Sequence, residues 1–413
     1  MATTTLERKP LPFNLTPGML AWLGLIGLCL VIGIVSAVQV FSKGLVLTAM
    51  SDKVPWGLWI TIDLSAIALG AGAFTLSAIV YLFGLKRFQP IVRLAVFVGF
   101  IGYTTALLTL VMDIGRPDRF WHPWVYWNIH SVLWEITWCI TIYLAIMILE
   151  FLPVVVDARL FDRVPYIRQA RTAAHLLHKA APVLALLGLG ISLLHQSSLG
   201  ATYGIVKSRP IWFKPSMPIL FILSAVAVGP ALTMAVAFVV EWITGKVRIH
   251  HDLLQTIARF SGFGLLVYGY LKFWDLAAVT YYGRTPAVDN ALYMLRTQTP
   301  YNFGFWVMEV ILGIAIPAIL FITPRFNRNP VYLVMGALMA VAGVIISRWD
   351  VTVSGLFVPL SYAPGTLYKL TPGRYFPNLV EWGIAVGIIG YDLLMLTLGI
   401  KFLPLFEQGK EHS

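Results

Sequence analysis

Apolar residues run through this chain in long unbroken blocks, and the polar residues are gathered in the gaps between them. Ten blocks, at about 18–41, 57–84, 91–113, 131–156, 173–199, 216–241, 254–279, 303–323, 330–348 and 377–402, are each long enough to cross a bilayer. About 20 helical residues span the ~30 Å hydrocarbon layer. Each block predicts a helix, because an open strand would leave backbone N–H and C=O groups unpaired in lipid. The expected fold class is therefore an all-α integral membrane protein with about ten transmembrane helices, arranged as two four-helix bundles plus flanking helices. Short links between successive helices favour antiparallel bundles. The expected divisions are 1–56, an N-terminal segment and first helix; 57–200, a first bundle carrying the site; 201–350, a second bundle; and 351–413, an outer loop, a last helix and a tail. The opening M-A-T-T-T-L-E-R-K-P leads into an apolar run too long for a signal-peptide core, so that run is kept as a span. The loop after the ninth span is rich in Pro, Gly and Tyr, with Pro359, Pro364, Gly365, Pro372 and Gly373, and would dock a partner or cover the bundle.

Composition agrees. The 413 residues are 58% hydrophobic and 12% charged, with mean hydropathy +0.79, which excludes an ordinary soluble domain. The net charge of +11 records Lys and Arg in the loops of a membrane protein and does not point to nucleic acid. Lys86, Arg87 and the basic loop at 157–172 favour cytoplasmic termini, with the 113–135 link outside. In a bacterium that makes it a multi-pass inner-membrane protein with the link in the periplasm. Cys29 and Cys139 lie inside apolar runs, and no spacing suits an Fe–S cluster, a zinc ion or a disulfide.

The polar residues that enter the blocks collect at one edge. The link D-I-G-R-P-D-R-F-W-H-P-W-V-Y-W-N-I-H-S-V-L-W-E runs from Asp113 to Glu135. Pro117 stops the preceding helix, and Trp121, Trp124, Tyr126 and Trp127 have the composition of an interfacial belt. Asp113, His130 and Glu135 sit at or inside the edge of apolar spans, where an ionisable group is costly and points to function. In the second span Trp56, Trp59 and Asp63 share a face, with Asp63 roughly 10 Å deep. Asn128, Ser131 and Glu135 share a face at the start of the fourth, and the fifth ends in L-L-H-Q-S-S-L-G, with His195, Gln196 and Ser197. Four successive helices thus bring Asp63, Asp113, Glu135 and His195 to one depth, with Arg116 and His130 at the rim. An acid-bearing, aromatic-rich cavity in lipid suits a ring that takes up and releases protons, such as a quinone. The bland readings are an Asp113–Arg116 cap pair, His130 as an interface residue, Glu135 bonded only to Ser131, and His195 with Gln196 as interhelical glue. Convergence at one depth outweighs any one of them.

A second set lies on later spans: Lys272, Asp275, Glu309, Arg348, Asp350 and Glu381 toward the same side, Asp392 deeper, and Glu150 and Glu241 toward the other. F-G-F-W-V-M-E at 303–309 echoes W-G-L-W-I-T-I-D at 56–63. Paired structural charges such as Lys272–Asp275 are the expectation for most of this set; a proton path through Glu309, Glu381, Asp392, Lys272 and Asp275 is the sharper alternative. Haem b commonly takes axial His from facing helices. Of His122, His130, His175, His178, His195, His250, His251 and His412, only His130 and His195 lie at span edges on the outer side, and no C-x-x-C-H occurs. The chain is read as carrying no haem and no Fe–S cluster. A haem b subunit, with one haem between His130 and His195, is kept as an alternative, as is an ion-translocating or transporter module with repeated bundles.

D-I-G-R-P-D-R-F-W-H resembles the D-L-G-R-P-x-R-F-W motif of the NrfD/PsrC family, the quinone-interacting membrane subunits of polysulfide reductase-like complexes. P-W-G-L-W-I-T-I-D-L, N-I-H-S-V-L-W-E and L-H-Q-S-S-L-G look closer to the HybB-type branch, which includes the membrane subunit of hydrogenase-2 and is similar to subunits of quinone reductase complexes and alternative complex III. The resemblance covers most of the chain, with ten spans where shorter members have eight. It implies a subunit without a cofactor of its own that holds menaquinone near the periplasmic end of one bundle. Electrons would be exchanged with a docked periplasmic Fe–S subunit, itself joined to a further catalytic or multihaem cytochrome subunit. Asp63, Asp113, Glu135 and His195 would then carry the proton chemistry, and Trp59, Asp63, Asn128, His130, His195, Gln196 and Arg116 would hold the quinone. Shorter members do not always have an acid matching Asp63.

Overall fold

The computed structural model describes residues 16–158, 161–162, 166–206, 209, 211–282, 297–357 and 374–406, without the side chains of 175–179. The Pro/Gly/Tyr-rich loop with Pro359, Pro364, Gly365, Pro372 and Gly373 lies outside the described residues, as do Arg159, Arg163, His412 and the first ten residues. Among the described residues the chain is all-helical, apart from one isolated antiparallel bridge between Ser51 and Val54.

Nine helical segments among the described residues are long and apolar enough to cross a membrane. They begin with α1 (Pro17–Lys43), capped by the Thr16 hydroxyl at Met19 N with Pro17 in the first turn. The second span is interrupted: α2 (Leu58–Leu69) stops at Gly70 and α3 (Gly72–Tyr81) continues it. Then come α4 (Gln89–Asp113), the short α5 (His122–Val125), α6 (Val132–Val156), α7 (Ile167–Gly204) and α8 (Met217–Thr244). The block expected at 254–279 is α9 (His251–Tyr282), whose 32 residues reach ~48 Å. It is absent from the nine because Arg259, Lys272 and Asp275 lower its apolarity. It can carry Lys272 and Asp275 because Glu309 on a later helix and Lys214 in the loop before α8 pair with them, while Arg259 is exposed. After it, α10 (Phe303–Ala315) is π-helical and passes directly into α11 (Ile316–Ile322), followed by the short α12 (Pro324–Asn327), α13 (Pro330–Thr352) and α14 (Leu379–Phe402).

Helices α2/α3, α4, α6 and α7 pack together, as do α8, α9, α10/α11 and α13. One buried apolar core is continuous through both sets. They meet where α7 and α3 lie on α8 and where α2 lies on α13. A Cβ on Gly72 would lie 2.6 Å from the Gly229 carbonyl oxygen, and one on Gly229 would lie 2.3 Å from Gly72 N. Only a pair without side chains lets the backbones approach that closely. Outside the sets, α1 buries only Ile26, Gly33, Ser36 and Val40, chiefly against α14, which in turn lies on α4 and α2. The last helix therefore flanks the first set.

Candidate functional site

The start of α2, the end of α4, the start of α6 and the end of α7 come together at one end of the first helix set. Two side-chain contacts fix that register. Ser198 on α7 donates to Glu135 Oε1 on α6 at 2.8 Å, and Tyr103 on α4 lies 3.4 Å, hydroxyl to Nδ1, from His195 on α7. Trp56 stacks on Trp212 at 5.8 Å and meets the Tyr203 ring edge-on at 5.6 Å, closing the α2–α7 corner.

Inside this end Asp63 is 6% exposed and His195 and Gln196 are fully enclosed. Gln196 donates to the Ile67 carbonyl at 3.1 Å, which fixes its amide, while its Oε1 has no partner. Asp63 Oδ1, Asp113 Oδ1 and His195 Nε2 are likewise buried without a hydrogen-bond partner. Asp63 and Asp113 lie within each other's electrostatic reach, and Asp113 is also within that of Glu381. Among the described residues no Lys or Arg pairs with Asp63 or Asp113. Buried carboxylates, an imidazole nitrogen and an amide oxygen are thus left facing the interior with open valences. Groups of this kind are expensive unless something hydrogen-bonds them.

The other expected site residues fall differently. Arg116 does not pair with Asp113. It makes a two-pronged bond to Asp118 at 3.0 Å and 3.0 Å, with both side chains mostly exposed, because the turn at Pro117 brings Asp118 beneath the guanidinium. That bond holds the Asp118 carboxyl below its ordinary range and raises Arg116. Asn128 and His130 are exposed, and the Asn128 side chain caps the His130 N–H at 3.3 Å. His130 on the rim and His195 in the interior do not share one enclosed space. Glu135 reaches Ser198 and not Ser131, whose hydroxyl caps α6 at Trp134 N. Trp59 is buried, and its indole N–H donates to the Glu381 carbonyl at 3.3 Å.

Glu381 and Asp392, grouped by sequence with the later spans, lie against the first set. Glu381 accepts from Ala49 N at 2.9 Å, from Asn378 N at 3.0 Å and from the Tyr375 hydroxyl, which itself accepts from Leu58 N at 2.8 Å. This carboxylate completes the cap of α14 and ties it to the start of α2. Burial, and then the bond to Glu381, push the Tyr375 hydroxyl above its ordinary range. Asp392 accepts from Thr105 on α4.

In the second set Lys272 and Asp275 do not pair with each other. Lys272 donates to Glu309, and Asp275 takes Lys214 and Ser216. The two side chains turn apart, Lys272 to Glu309 on α10 and Asp275 to Lys214 in the loop before α8. Lys214, Lys272, Asp275 and Glu309 line a partly open pocket with Tyr268 and Arg348. Arg348 lies 3.7 Å above the Phe221 ring and donates to Ser224 at 2.8 Å. Among the described residues no group of three or more metal-binding side chains occurs. Tyr103, Tyr203 and Ser198 were not singled out from sequence: a Tyr within an apolar block reads as core until its hydroxyl is placed.

A family model, polysulphide reductase, NrfD, matches residues 46–359. The menaquinone reductase integral membrane subunit of Nitratidesulfovibrio vulgaris is 34% identical over 92% of this chain and 90% of its own length. A probable Ni/Fe-hydrogenase 2 b-type cytochrome subunit of Escherichia coli is 26% identical over 91% and 89%. The Hdr-like menaquinol oxidoreductase integral membrane subunit of Archaeoglobus fulgidus is 25% identical over 88% and 88%.

Proposed function

This chain belongs to the polysulphide reductase, NrfD family, and from that premise we propose that it is the quinone-interacting membrane subunit of a respiratory oxidoreductase complex, exchanging electrons between a partner redox subunit and menaquinone. Its multiple apolar helices make it a multi-pass integral membrane protein. The quinone would sit at the end of the first helix set, its oxygens facing His195 and Asp63, with Trp59 and Gln196 in the surrounding wall. Asp113 and Glu135 would exchange protons with it. The observation that carries this reading is the group of buried open valences on Asp63, Asp113, His195 and Gln196 with no compensating cation. A quinone or quinol supplies the alternating acceptors and donors that such groups need. The 34% identical relative, whose name is a menaquinone reductase subunit, supports the choice of ring.

The exposed Trp121, Tyr126, Trp127 and Ile129, beside the Arg116–Asp118 pair, form the surface on which a periplasmic Fe–S subunit would dock. With Arg116, Asn128 and His130 exposed, their role passes from holding the ring to that surface. Termini would then be cytoplasmic. A second reading, ion or proton translocation, draws on the charged cavity of the second set, with Lys272, Glu309 and Asp275. The test of the site is binding of dimethylnaphthoquinone to the purified complex and its reduction. Asp63→Asn and His195→Leu should each lose quinone reduction by about tenfold or more, with the complex still assembled. Wild-type turnover in both would refute the assignment, and a haem absorption band from the isolated chain would revive the cytochrome reading.

A further inference from the structure

The start of α2, the helix that carries Trp59 and Asp63, has no cap of its own. Its N-cap is Gly57, which offers no side-chain oxygen to the free N–H groups of the first turn. The missing acceptor comes from 317 positions away: Leu58 N donates to the Tyr375 hydroxyl at 2.8 Å. That hydroxyl donates its own hydrogen to Glu381 Oε1. One residue on, the Trp59 indole N–H donates to the Glu381 carbonyl at 3.3 Å. The link before α2 is held by the same segment. Asn378 Nδ2 donates to the Leu47 carbonyl at 2.6 Å, and Ala49 N donates to Glu381 Oε2 at 2.9 Å. Residues 374–378, neither helix nor strand, and the first turn of α14 therefore lie against the beginning of α2.

The chemistry of these contacts suits placement. A Cβ on Gly57 would collide with the Tyr375 hydroxyl, so position 57 cannot carry a Ser, Thr or Asp cap while the phenol is there. Glu381 is 1% exposed, and both its oxygens are occupied, Oε1 by the Tyr375 hydroxyl and Oε2 by Ala49 N and Asn378 N. Asp63 and Asp113, by contrast, each keep an open Oδ1. An acid whose oxygens are filled holds its neighbours still and has no atom free for a ring. The phenol is itself braced, its ring lying 6.0 Å from that of Trp349 on α13. Helix α2 stops at Gly70 after 12 residues, so its axial position depends on how its ends are held. Asp63 is five residues past Leu58, ~7.5 Å along the axis, and a rigid helix passes a shift at Leu58 on to Asp63 nearly unchanged.

We propose that Tyr375 and Glu381 are positioning residues for the quinone reaction: they set the register of α2 and so hold Asp63 and Trp59 in place relative to His195. This rests on the reading of Asp63 and His195 as the quinone site. Neither Tyr375 nor Glu381 touches the ring or exchanges a proton with it. Their contribution is the alignment of a carboxyl with a ring oxygen, for which a displacement of ~1 Å costs up to ~100-fold in rate.

The test measures kcat and KM for dimethylnaphthoquinone reduction by the whole complex, with its redox partner reduced chemically. Tyr375→Phe, which keeps the ring and removes the hydroxyl, should lower kcat about tenfold, with KM within about threefold of wild type. Gly57→Ala, which leaves every bonding group in place and pushes the phenol aside, should do the same. Glu381→Ala should lose at least as much, and Glu381→Gln, which keeps one acceptor oxygen, should recover part of the rate. In the Asp63→Asn background the group being positioned is already gone, so adding Tyr375→Phe should slow the residual rate by no more than about twofold. A general loosening of the fold would multiply the two losses instead. Wild-type kcat in both Tyr375→Phe and Gly57→Ala, or multiplied losses in the double variant, overturns the positioning role and leaves the site standing as long as Asp63→Asn loses reduction. Full turnover in Asp63→Asn removes the site reading and the positioning role with it.

Discussion

Replacing Lys272 by Met, Glu309 by Gln, and then both together asks what a buried ion pair does for this fold. Their side chains are 17% and 1% exposed. The ammonium also lies 5.4 Å from the Phe305 ring centre and 5.7 Å from that of Tyr268, and the Tyr268 hydroxyl donates to Glu309 at 3.3 Å. Removing one partner of a buried pair costs ~3–5 kcal/mol, because the survivor keeps its desolvation penalty. For Lys272→Met the loss should lie toward the upper end of that range, because the carboxylate left behind is the more deeply enclosed partner. For Glu309→Gln the stranded ammonium has Asp350 within electrostatic reach, so its loss should be smaller. The double variant leaves neither charge behind and should recover at least ~1 kcal/mol relative to the sum of the singles. Unfolding in mixed micelles titrated with SDS, followed by Trp fluorescence, reads all three. Single variants within about 0.5 kcal/mol of wild type, or strict additivity in the double, would refute the claim that this pair is electrostatically enclosed.

Arg116→Ala should change stability by no more than about 0.5 kcal/mol, since the Arg116–Asp118 pair is exposed on both sides; a loss above ~2 kcal/mol in the same titration would mean that Arg116 serves the buried Asp113 after all. Gly387→Leu should detach α1 from α14, because even a Cβ there would lie 2.4 Å from the Gly33 Cα. Limited proteolysis should then release the N-terminal helix, and unchanged protection would show that the close crossing is dispensable.

The long apolar blocks made the helices legible, and the edges of those blocks made Asp63, Asp113, Glu135 and His195 legible, because lipid tolerates so few ionisable groups. Lateral partners were not legible. Arg116 is three residues from Asp113 and two from Asp118, and only the turn at Pro117 decides between them. Lys272 and Asp275 look like a pair along one helix, but α10 offers Glu309 and the loop before α8 offers Lys214 instead. Glu381 reads as an acid in a membrane, yet it is the third residue of a helix whose Asn378 cap it answers. Its other bonds, to Ala49 N and Tyr375, join segments more than 300 positions apart as well as near neighbours. Tyr103 and Tyr203 were invisible for the opposite reason: a phenol counts as core until its hydroxyl finds an imidazole or a carboxylate.

How a charge is compensated separates structure from chemistry in this chain. In the second set two acids have a cation of their own: Asp275 has Lys214, and Glu309 has Lys272, with Asp350 within electrostatic reach of that same lysine. Charges matched in this way keep their partners whatever passes nearby, and they specify which helices meet. In the first set Asp63 and Asp113 share an end without a cation among the described residues, and the nearest guanidinium in sequence, Arg116, is bound to Asp118 on the outside. Two carboxyl groups so placed repel when ionised and gain little from the protein when protonated. Selection for packing alone would replace them with apolar residues of similar volume at little cost. Their presence beside an imidazole with a free nitrogen is accounted for if the missing partner is a molecule that arrives, exchanges protons and leaves.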